Sequence, residues 1–117
     1  MASSVLFKVA CLVLISMLVA APQAAATITC GQVVRYLLPC LSYLRNGGPI
    51  PPRCCPGVRG LNSAARTTPD RQTACGCLKS AARSYRVNYG NGAALPGKCG
   101  VSIGFKIAAN TDCSKVH

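Results

Sequence analysis

The sequence predicts a small all-α domain that is held together by four disulfides. Three observations support this fold class: eight cysteines follow an N-terminal apolar leader, apolar residues recur at helical spacing, and proline and glycine interrupt that spacing. An even number of cysteines in a short exported chain indicates a disulfide framework. The eight are Cys30, Cys40, Cys54, Cys55, Cys75, Cys77, Cys99 and Cys113.

Residues 1–26 have the features of a cleaved export signal. Lys8 closes a short basic segment, an apolar run extends from Val9 to Ala21, and Ala24-Ala25-Ala26 supplies the small residues of a cleavage site. The run is shorter than the roughly 20 residues that a transmembrane helix needs. We therefore expect a signal peptide at 1–26, a single domain at 27–117 that begins at Thr27, and a secreted protein. Cleavage also removes Cys11, which leaves the even number of cysteines that full pairing requires.

The first helix is predicted from Cys30 to Arg45, and Asn46-Gly47-Gly48-Pro49 ends its pattern. A second helix is predicted to begin at Pro51-Pro52, and Gly57 and Gly60 weaken it. The residues that form the two apolar stripes are Val33, Leu37, Cys40, Leu41 and Leu44, followed by Cys55, Val58, Leu61 and Ala65.

A third helix has the strongest start signal in the chain. Thr68 is a suitable N-cap, Pro69 suits the first helical position, and Asp70 lies near the positive end of the helix dipole. We expect this helix to continue to about Tyr85. A short fourth helix is predicted near 91–99, made irregular by a proline and a glycine, and beyond residue 100 the pattern predicts an extended tail.

The cysteine positions limit the possible pairings without selecting one. Side chains of adjacent residues on a helix diverge by about 100°, so Cys54 and Cys55 must bond to different elements. Cys75 and Cys77 point to nearly opposite sides of the third helix and also need separate partners.

The predicted mature chain is strongly basic. It contains 12 of the 13 lysines and arginines but only two acidic residues, Asp70 and Asp112, and its net charge is therefore +10. Such an excess favours anionic partners. The cations are scattered, however, and scattered cations most often form an ordinary solvated surface. No basic and aromatic platform indicates nucleic-acid binding.

Several motifs resemble those of the plant non-specific lipid transfer proteins of type 1, and the likeness covers essentially all of residues 27–117. The order and spacing of the cysteines are similar to those of that family. The further matching segments are Cys30-Gly31-Gln32-Val33, Tyr43-Leu44, Leu61-Asn62, Thr67-Thr68-Pro69-Asp70-Arg71-Gln72, Cys77-Leu78-Lys79 and Leu95-Pro96-Gly97-Lys98-Cys99-Gly100-Val101.

The resemblance implies a fold and a pairing. The fold is an all-α, four-helix right-handed bundle, stapled by four disulfides, with a C-terminal tail that covers an elongated apolar tunnel. The implied disulfides are Cys30–Cys77, Cys40–Cys54, Cys55–Cys99 and Cys75–Cys113.

The resemblance also implies a lipid-binding site. Arg71 corresponds to a cation near the tunnel mouth that can meet a carboxylate or phosphate, with help from Lys79 and Asn62; alternatively, Arg71 only pairs with a neighbouring carboxylate. Phe105 replaces the usual tyrosine of the family's Pro-Tyr-x-Ile motif, and Gly104 replaces its proline. The candidates for the tunnel lining, any of which could instead be ordinary core, are Leu37, Leu41, Val58, Leu61, Leu78, Val101, Ile103 and Ile107.

The four tyrosines of the predicted mature chain are expected to be half-buried surface residues rather than ligand contacts. They are Tyr36, Tyr43, Tyr85 and Tyr89.

By resemblance, the expected function is that of a secreted carrier of the apoplast or cell wall that transfers fatty acids, acyl derivatives, lysophospholipids and phospholipids between membranes. Roles in cuticle deposition and plant defence are compatible with it. We expect a monomer that makes transient contact with anionic membrane surfaces and uses no cofactor.

An enzyme is not expected, because the two aspartates and the terminal His117 do not supply an acid/base pair or a catalytic triad. Oxidised cysteines also leave no thiolates for a zinc site. Two other functions remain open. A cationic antimicrobial peptide would use the same charge against anionic membranes. An inhibitor of digestive enzymes would need a rigid exposed loop, for which residues 46–53 are the obvious candidate.

Overall fold

The computed structural model describes residues 4–11 and 27–117. Residues 4–11 are helical, and they lie within the predicted signal; the remainder of that signal lies outside the described residues. No helix in the described part of the chain is long and apolar enough to cross a membrane. From residue 27 onward the fold is all-α, as predicted.

The first predicted helix is observed with one interruption. Helix α1 spans Cys30–Leu37, a 3-10 turn spans Leu38–Cys40, and helix α2 spans Leu41–Asn46. The interruption coincides with Pro39, which lacks an amide hydrogen for the helical ladder. Thr29 caps α1, since its hydroxyl accepts from the main chain of Gln32 while the Gln32 side chain accepts from the main chain of Thr29.

Helix α3 spans Cys54–Ala64 and therefore begins two to three residues after Pro51-Pro52, where its start was predicted. The main-chain nitrogen of Cys54 donates to the Pro51 oxygen at 3.0 Å, so the two prolines form a turn before the helix. Gly57 and Gly60 allow α3 to pack closely on α1. A Cβ atom at Gly57 would collide with the Tyr36 carbonyl oxygen, and one at Gly60 would lie 2.8 Å from the Tyr36 ring. The glycines that weaken the helix in isolation are required by its packing.

Helix α4 spans Thr68–Ser84, close to the predicted range. Its N-cap is Thr67 rather than Thr68: Thr67 has an extended backbone, and its hydroxyl accepts from the main-chain nitrogen of Asp70 at 3.2 Å. The prediction of Thr68 as the cap was wrong by one residue. Adjacent threonines are equally suited to this position, so the local sequence does not distinguish them.

Helices α4 and α5 end in the same type of cap. Helix α5 spans Tyr89–Lys98, begins after the N-cap Asn88 and includes Pro96. At its end the Val101 nitrogen donates to the Pro96 oxygen and Gly100 has φ of 72°. At the end of α4 the corresponding bond runs from Val87 to Ala82, at 2.9 Å, and the residue with positive φ is Arg86. Glycine is the usual residue at this position because it has no Cβ atom.

After α5 the chain forms a tail, predicted as extended, that contains a 3-10 turn at Cys113–Lys115. Four disulfides tie the elements together: Cys30–Cys77, Cys40–Cys54, Cys55–Cys99 and Cys75–Cys113. These are the pairs that the family resemblance implies. Within the described residues, Cys11 is the free cysteine.

The core consists of two clusters of buried residues rather than one. One joins α2, α3 and α5 around Tyr43, Leu44, Val58 and Leu95. The other joins α1, α3 and α4 around Val33, Leu61 and Ala74, and includes Ile28 from the segment before α1. Since Val58 and Leu61 both line the cavity described below, the clusters are parts of its wall.

Candidate functional site

An apolar cavity of about 130 Å³ lies between the helices and the tail. Helices α1 to α5 and the tail all contribute to its lining, which is almost entirely aliphatic and aromatic. The lining residues are Val33, Val34, Leu37, Leu38, Leu41, Leu44, Val58, Leu61, Asn62, Ala65, Arg71, Ala74, Leu78, Ala81, Ala82, Tyr85, Val87, Tyr89, Gly92, Leu95, Pro96, Ile103, Phe105 and Ile107.

One face of α4 runs along the cavity. Its lining residues are spaced three and four apart, which places their side chains on one side of the helix. They are Arg71, Ala74, Leu78, Ala81 and Tyr85. At 1.5 Å per residue, Arg71 and Tyr85 are separated by about 21 Å along the helix axis. The cavity is therefore elongated, with a shape suited to an extended acyl chain.

The two ends of this face differ in chemistry. At the Arg71 end, Arg71 and Asn62 are exposed residues that also contribute to the lining, and Arg71 is the one cation among the described lining residues. At the other end, Tyr85 is 38% exposed. The cationic partner for an amphipathic ligand is therefore at the start of α4, whereas the other end of this face offers the neutral phenol group of Tyr85.

The structure brings most of the predicted site residues together. Among the polar and aromatic candidates, Arg71, Asn62 and Phe105 line the cavity. The aliphatic candidates that line it are Leu37, Leu41, Val58, Leu61, Leu78, Ile103 and Ile107.

Two predicted site residues are placed elsewhere. Val101 does not line the cavity, because it follows the cap of α5 and packs against the core cluster around Tyr43. Lys79 lies under the tail, where its Nζ atom donates to the main-chain oxygen of Thr111 at 2.7 Å and where it borders a second, much smaller cavity. Lys79 therefore holds the tail in the described structure.

Arg71 contacts main-chain oxygens rather than an acidic side chain. Its Nε atom donates to the Ala65 oxygen at 3.3 Å, and its Nη1 atom donates to the His117 oxygen at 3.0 Å. These two bonds orient the guanidinium at the rim of the cavity. A guanidinium carries five N–H donors, so donors remain for a carboxylate or phosphate.

The tail forms one wall of the cavity. Ile103, Phe105 and Ile107 line it, whereas Gly104 and Lys106 between them are exposed, which is the alternation of an extended segment. Gly104 has φ of 76°, a value that the proline usual at this position in the family cannot adopt.

Helix α4 fastens the end of the tail. The Gln72 side chain donates to the main-chain oxygens of Ser114 and Val116 at 3.2 and 3.0 Å, and Cys75 is bonded to Cys113. The bond from Lys79 to Thr111 continues this series along the helix. The wall that the tail provides is thus held at successive turns of α4.

The expectation of half-buried surface tyrosines was wrong for Tyr43, and two of the other tyrosines also border the cavity. Tyr43 is buried, with the Lys98 Nζ atom 5.1 Å from the centre of its ring. Tyr85 and Tyr89 line the cavity. The signal for Tyr85 was present in the sequence, since it lies seven residues after Leu78 and so on the same helical face. Tyr36 is half-buried, as expected.

The acidic residues serve structure rather than the cavity. Asp70 is only 3% exposed, and hydrogen bonds from the Thr27 main chain above all hold the pKa of its carboxyl below the ordinary value, against the opposing effect of burial. Bonds from the side chain and main chain of Ser114 lower the pKa of Asp112 in the same way. Among the described residues no group of histidine, cysteine and acidic side chains could hold a metal ion.

A helical domain with four disulfides and an elongated apolar cavity defines a class of small lipid-binding proteins. The model of the protease inhibitor/seed storage/LTP family matches residues 30–113. A non-specific lipid-transfer protein of Gerbera hybrida is 57% identical over 116 residues, which are 98% of this chain and 99% of the relative. The chain belongs to the plant non-specific lipid-transfer proteins, and within them to type 1.

Solved structures of relatives share the fold. Barley non-specific lipid transfer protein 1 in complex with a lysophosphatidylcholine is 41% identical, with a TM-score of 0.73, and the match covers 77% of this chain and all of the barley chain. Wheat non-specific transfer protein complexed with two molecules of phospholipid is 44% identical, with a TM-score of 0.71. The match covers 76% of this chain and all of the wheat chain. The family consists of non-enzymatic lipid carriers that are typically secreted.

Proposed function

We propose that this chain carries lipids by enclosing an acyl chain in the cavity along α4, with the headgroup at Arg71 and Asn62. The observation that carries the proposal is the pairing of a long apolar cavity with one cationic rim. Fatty acids, lysophospholipids and phospholipids all combine an acyl chain with an anionic group. The lysophosphatidylcholine complex of the barley relative and the phospholipid complex of the wheat relative support this ligand class.

The expected affinity follows from apolar burial. Burying about 15 methylenes at roughly 0.8 kcal/mol each contributes about 12 kcal/mol. The loss of translational and chain freedom on binding costs several kcal/mol, and the remaining free energy corresponds to an affinity near micromolar. Because apolar contact has no preferred direction, chains of different length and headgroups of different type are expected to bind. Reversible binding of this strength suits a carrier.

The disulfides supply the stability that a small domain with such a cavity needs. Unfilled apolar space destabilises a fold by roughly 24 cal/mol per Å³. Each disulfide stabilises by about 2–4 kcal/mol. The four bonds therefore offset the packing that the cavity removes, and lipid binding should disappear when they are reduced.

Secretion and processing form part of the proposal. Residues 1–26 are removed, the mature domain is 27–117, and the protein acts as a monomer in the apoplast or cell wall. Residues 27–117 are 91 of the chain's 117 residues, close to the share of the chain that the solved relatives cover. The curated relative from Gerbera hybrida matches nearly the whole chain instead.

A membrane-active defence peptide is the second candidate, and the net charge of the mature domain favours it. The two functions separate by their response to salt. Attraction of scattered cations to an anionic bilayer is screened within about 10 Å at 0.1 M ionic strength. Binding of a zwitterionic lysolipid in an apolar cavity should change little.

Displacement of a fluorescent fatty acid from the oxidised secreted protein tests the carrier function. Saturable displacement by lysophosphatidylcholine at micromolar concentration, lost after full reduction and insensitive to salt, is the expected result. Absence of displacement, together with salt-sensitive leakage of anionic vesicles, would favour the defence function. Light scattering on the same sample reports the oligomeric state.

A further inference from the structure

The segment immediately before α1 is held by a carboxylate from α4. The Thr27 main-chain nitrogen donates to Asp70 Oδ1 at 2.7 Å, and the Ile28 nitrogen donates to the same oxygen at 3.2 Å. The Thr27 hydroxyl lies 3.2 Å from both carboxylate oxygens. Asp70 is the buried charged residue of the described part of the chain, and its donors come from 42 and 43 residues away.

The position of Thr27 is determined by residues that follow it. Ile28 is 6% exposed and belongs to the core cluster with Val33 and Leu61. Thr29 is fixed as the N-cap of α1 by its reciprocal bonds with Gln32. The Thr27 nitrogen should therefore keep its place beside Asp70 whether or not residues 1–26 are attached.

Cleavage before Thr27 changes the chemistry of that nitrogen. An export protease that hydrolyses the Ala26–Thr27 bond adds one water, which leaves a carboxylate on Ala26 and an amine on Thr27. At neutral pH the amine takes up a proton. A neutral amide donor that already lies within hydrogen-bond distance of a carboxylate thereby becomes a cation.

We propose that the Asp70 carboxylate is a binding site for the α-ammonium group of Thr27 that signal removal creates. The folded mature domain then contains an ion pair that the precursor lacks. A charge-assisted hydrogen bond is stronger than the amide bond it replaces. This inference rests on the proposed removal of residues 1–26 and is independent of lipid binding.

The charges around the site support an unshared pair. The hydroxyls of Thr67 and Thr27 and the two main-chain donors are the groups that act on Asp70. Arg66 precedes α4, Arg71 follows Asp70 on it, and His117 is the tail residue that Arg71 contacts. Both guanidinium groups donate to main-chain oxygens, of Ser63 for Arg66 and of Ala65 and His117 for Arg71. The Thr27 nitrogen is thus the cation that contacts the carboxylate.

The pKa of the Thr27 amine provides the test. The full chain is secreted from a eukaryotic host, and mass spectrometry of the intact product defines its N-terminus. The rate at which the α-amine reacts with an acylating reagent is then measured against pH, with the N-terminal peptide resolved from lysine-containing peptides. The variants are Asp70→Asn and, as a matched control, Asp112→Asn.

An unpaired α-amine has a pKa of about 7.7–8.0. Pairing with Asp70 raises the pKa, and a rise of one unit slows acylation at pH 7 about tenfold. Wild type and Asp112→Asn should show this slowing, and Asp70→Asn should not. Wild type unfolded in denaturant with reductant serves as a second reference if Asp70→Asn fails to fold.

Equal rates in folded wild type and in either reference would overturn the proposal, as would a secreted N-terminus other than Thr27. Fatty-acid displacement is measured on the same samples. A slowed amine in a protein that binds no lipid leaves this inference standing and refutes the carrier function. If the amine reacts at the rate of an unpaired amine in a protein that binds lipid, this inference is refuted and the carrier function stands.

Discussion

The Nη1 atom of Arg71 lies 3.0 Å from the main-chain oxygen of His117, so the cation at the rim of the cavity also holds the end of the tail. Its neighbours on α4 extend this arrangement, since Asp70 binds Thr27 and Gln72 binds Val116. The first turn of α4 therefore fastens both ends of the 27–117 domain beside the polar end of the cavity. The side chain that we propose for headgroup binding therefore also anchors the tail.

Arg71→Gln should weaken fatty-acid binding more than the binding of the matching fatty alcohol. A hydrogen bond to a charged group contributes about 1.5–3 kcal/mol. Because Arg71 is exposed, we expect a contribution at the lower end of this range, which corresponds to about a tenfold loss of fatty-acid affinity. The fatty alcohol has no carboxylate and should lose less than twofold. Competitive displacement measures both affinities.

Arg66→Gln is the matched control for this change, because Arg66 is an exposed arginine that donates to the Ser63 oxygen and does not line the cavity. If Arg71→Gln weakened acid and alcohol equally, its role would be to hold the tail rather than to bind the headgroup.

Phe105→Tyr should strengthen binding of lipids with a polar headgroup. Phe105 lines the cavity at the tail position where the family resemblance implies a tyrosine. The added hydroxyl can form one hydrogen bond with the headgroup, which contributes about 1 kcal/mol and corresponds to about a fivefold gain in affinity. Isothermal titration with a saturated fatty acid measures the change. Unaltered fatty-acid affinity would show that a hydroxyl at this position makes no contact with the headgroup. Phe105→Leu, which retains an apolar side chain without a hydroxyl, should not show the gain.

Gly57→Ala should destabilise the fold, and Gly76→Ala should not. A Cβ atom at Gly57 meets the Tyr36 carbonyl, and overpacking of this kind costs about 1–3 kcal/mol. Gly76 lies within α4 with open space around it, so alanine there should stabilise by about 0.5–1 kcal/mol. Urea unfolding of the oxidised proteins compares the two. A tolerated Gly57→Ala would mean that α1 and α3 separate easily.

Replacing Cys75 and Cys113 together with alanine should impair both stability and binding. The closed loop of 38 residues corresponds to about 4 kcal/mol of stabilisation by the chain-entropy account. The same bond fixes the tail that supplies Ile103, Phe105 and Ile107 to the cavity wall. Thermal unfolding and lipid displacement measure the two effects.

The double alanine variant of Cys40 and Cys54 is the control for the tail bond. Its loop of 14 residues corresponds to about 3 kcal/mol, and it joins helical elements without touching the tail. It should lose stability while its folded fraction binds lipid with nearly the original affinity. Equal loss of affinity in the two variants would show that the tail bond has no special role in binding.

Stability should decline at acid pH through Asp70. Its folded-state pKa is below the ordinary value of 3.8, chiefly because of the hydrogen bond from the Thr27 main chain. A group of this kind contributes stability above the unfolded pKa, and the contribution is lost as the pH falls through the folded pKa. The free energy of unfolding should therefore fall with pH below about 4 in wild type.

Asp70→Asn should flatten this acid dependence, whereas Asp112→Asn should change it less because the Asp112 carboxylate is bonded mainly by the nearby Ser114. Urea unfolding at several pH values between 2 and 6 provides the comparison. An unchanged slope in Asp70→Asn would assign the acid sensitivity to other groups.

Local signals account for the features that were predicted correctly. The helices near residues 30–46, 54–64, 68–84 and 89–98 follow from apolar spacing, caps and proline or glycine breaks, all of which act within a few residues. Arg71, Asn62 and Phe105 were predicted as site residues through a family resemblance. The residues alone do not place them around one space.

Features that depend on distant residues were missed or misplaced. Thr67 and Thr68 are equally good caps, and the choice between them depends on how α4 meets the rest of the fold. Asp70 was assigned to the helix dipole, because nothing near it indicates that Thr27 donates to it from 43 residues away. Val101 was a candidate for the tunnel lining or for ordinary core, and after the cap of α5 it packs against the core cluster around Tyr43.

The sequence by itself determined the helical class, the order of the helices and the number of disulfides, since periodicity, capping and a count of cysteines need no knowledge of distant contacts. The pairing of the cysteines came from the family resemblance. Only the tertiary structure decided that the face of α4 bearing Leu78 and Tyr85 borders an open cavity while Val101 packs in the core. Apolar spacing specifies which face of a helix avoids water. Whether the space opposite that face is filled depends on how distant segments pack together.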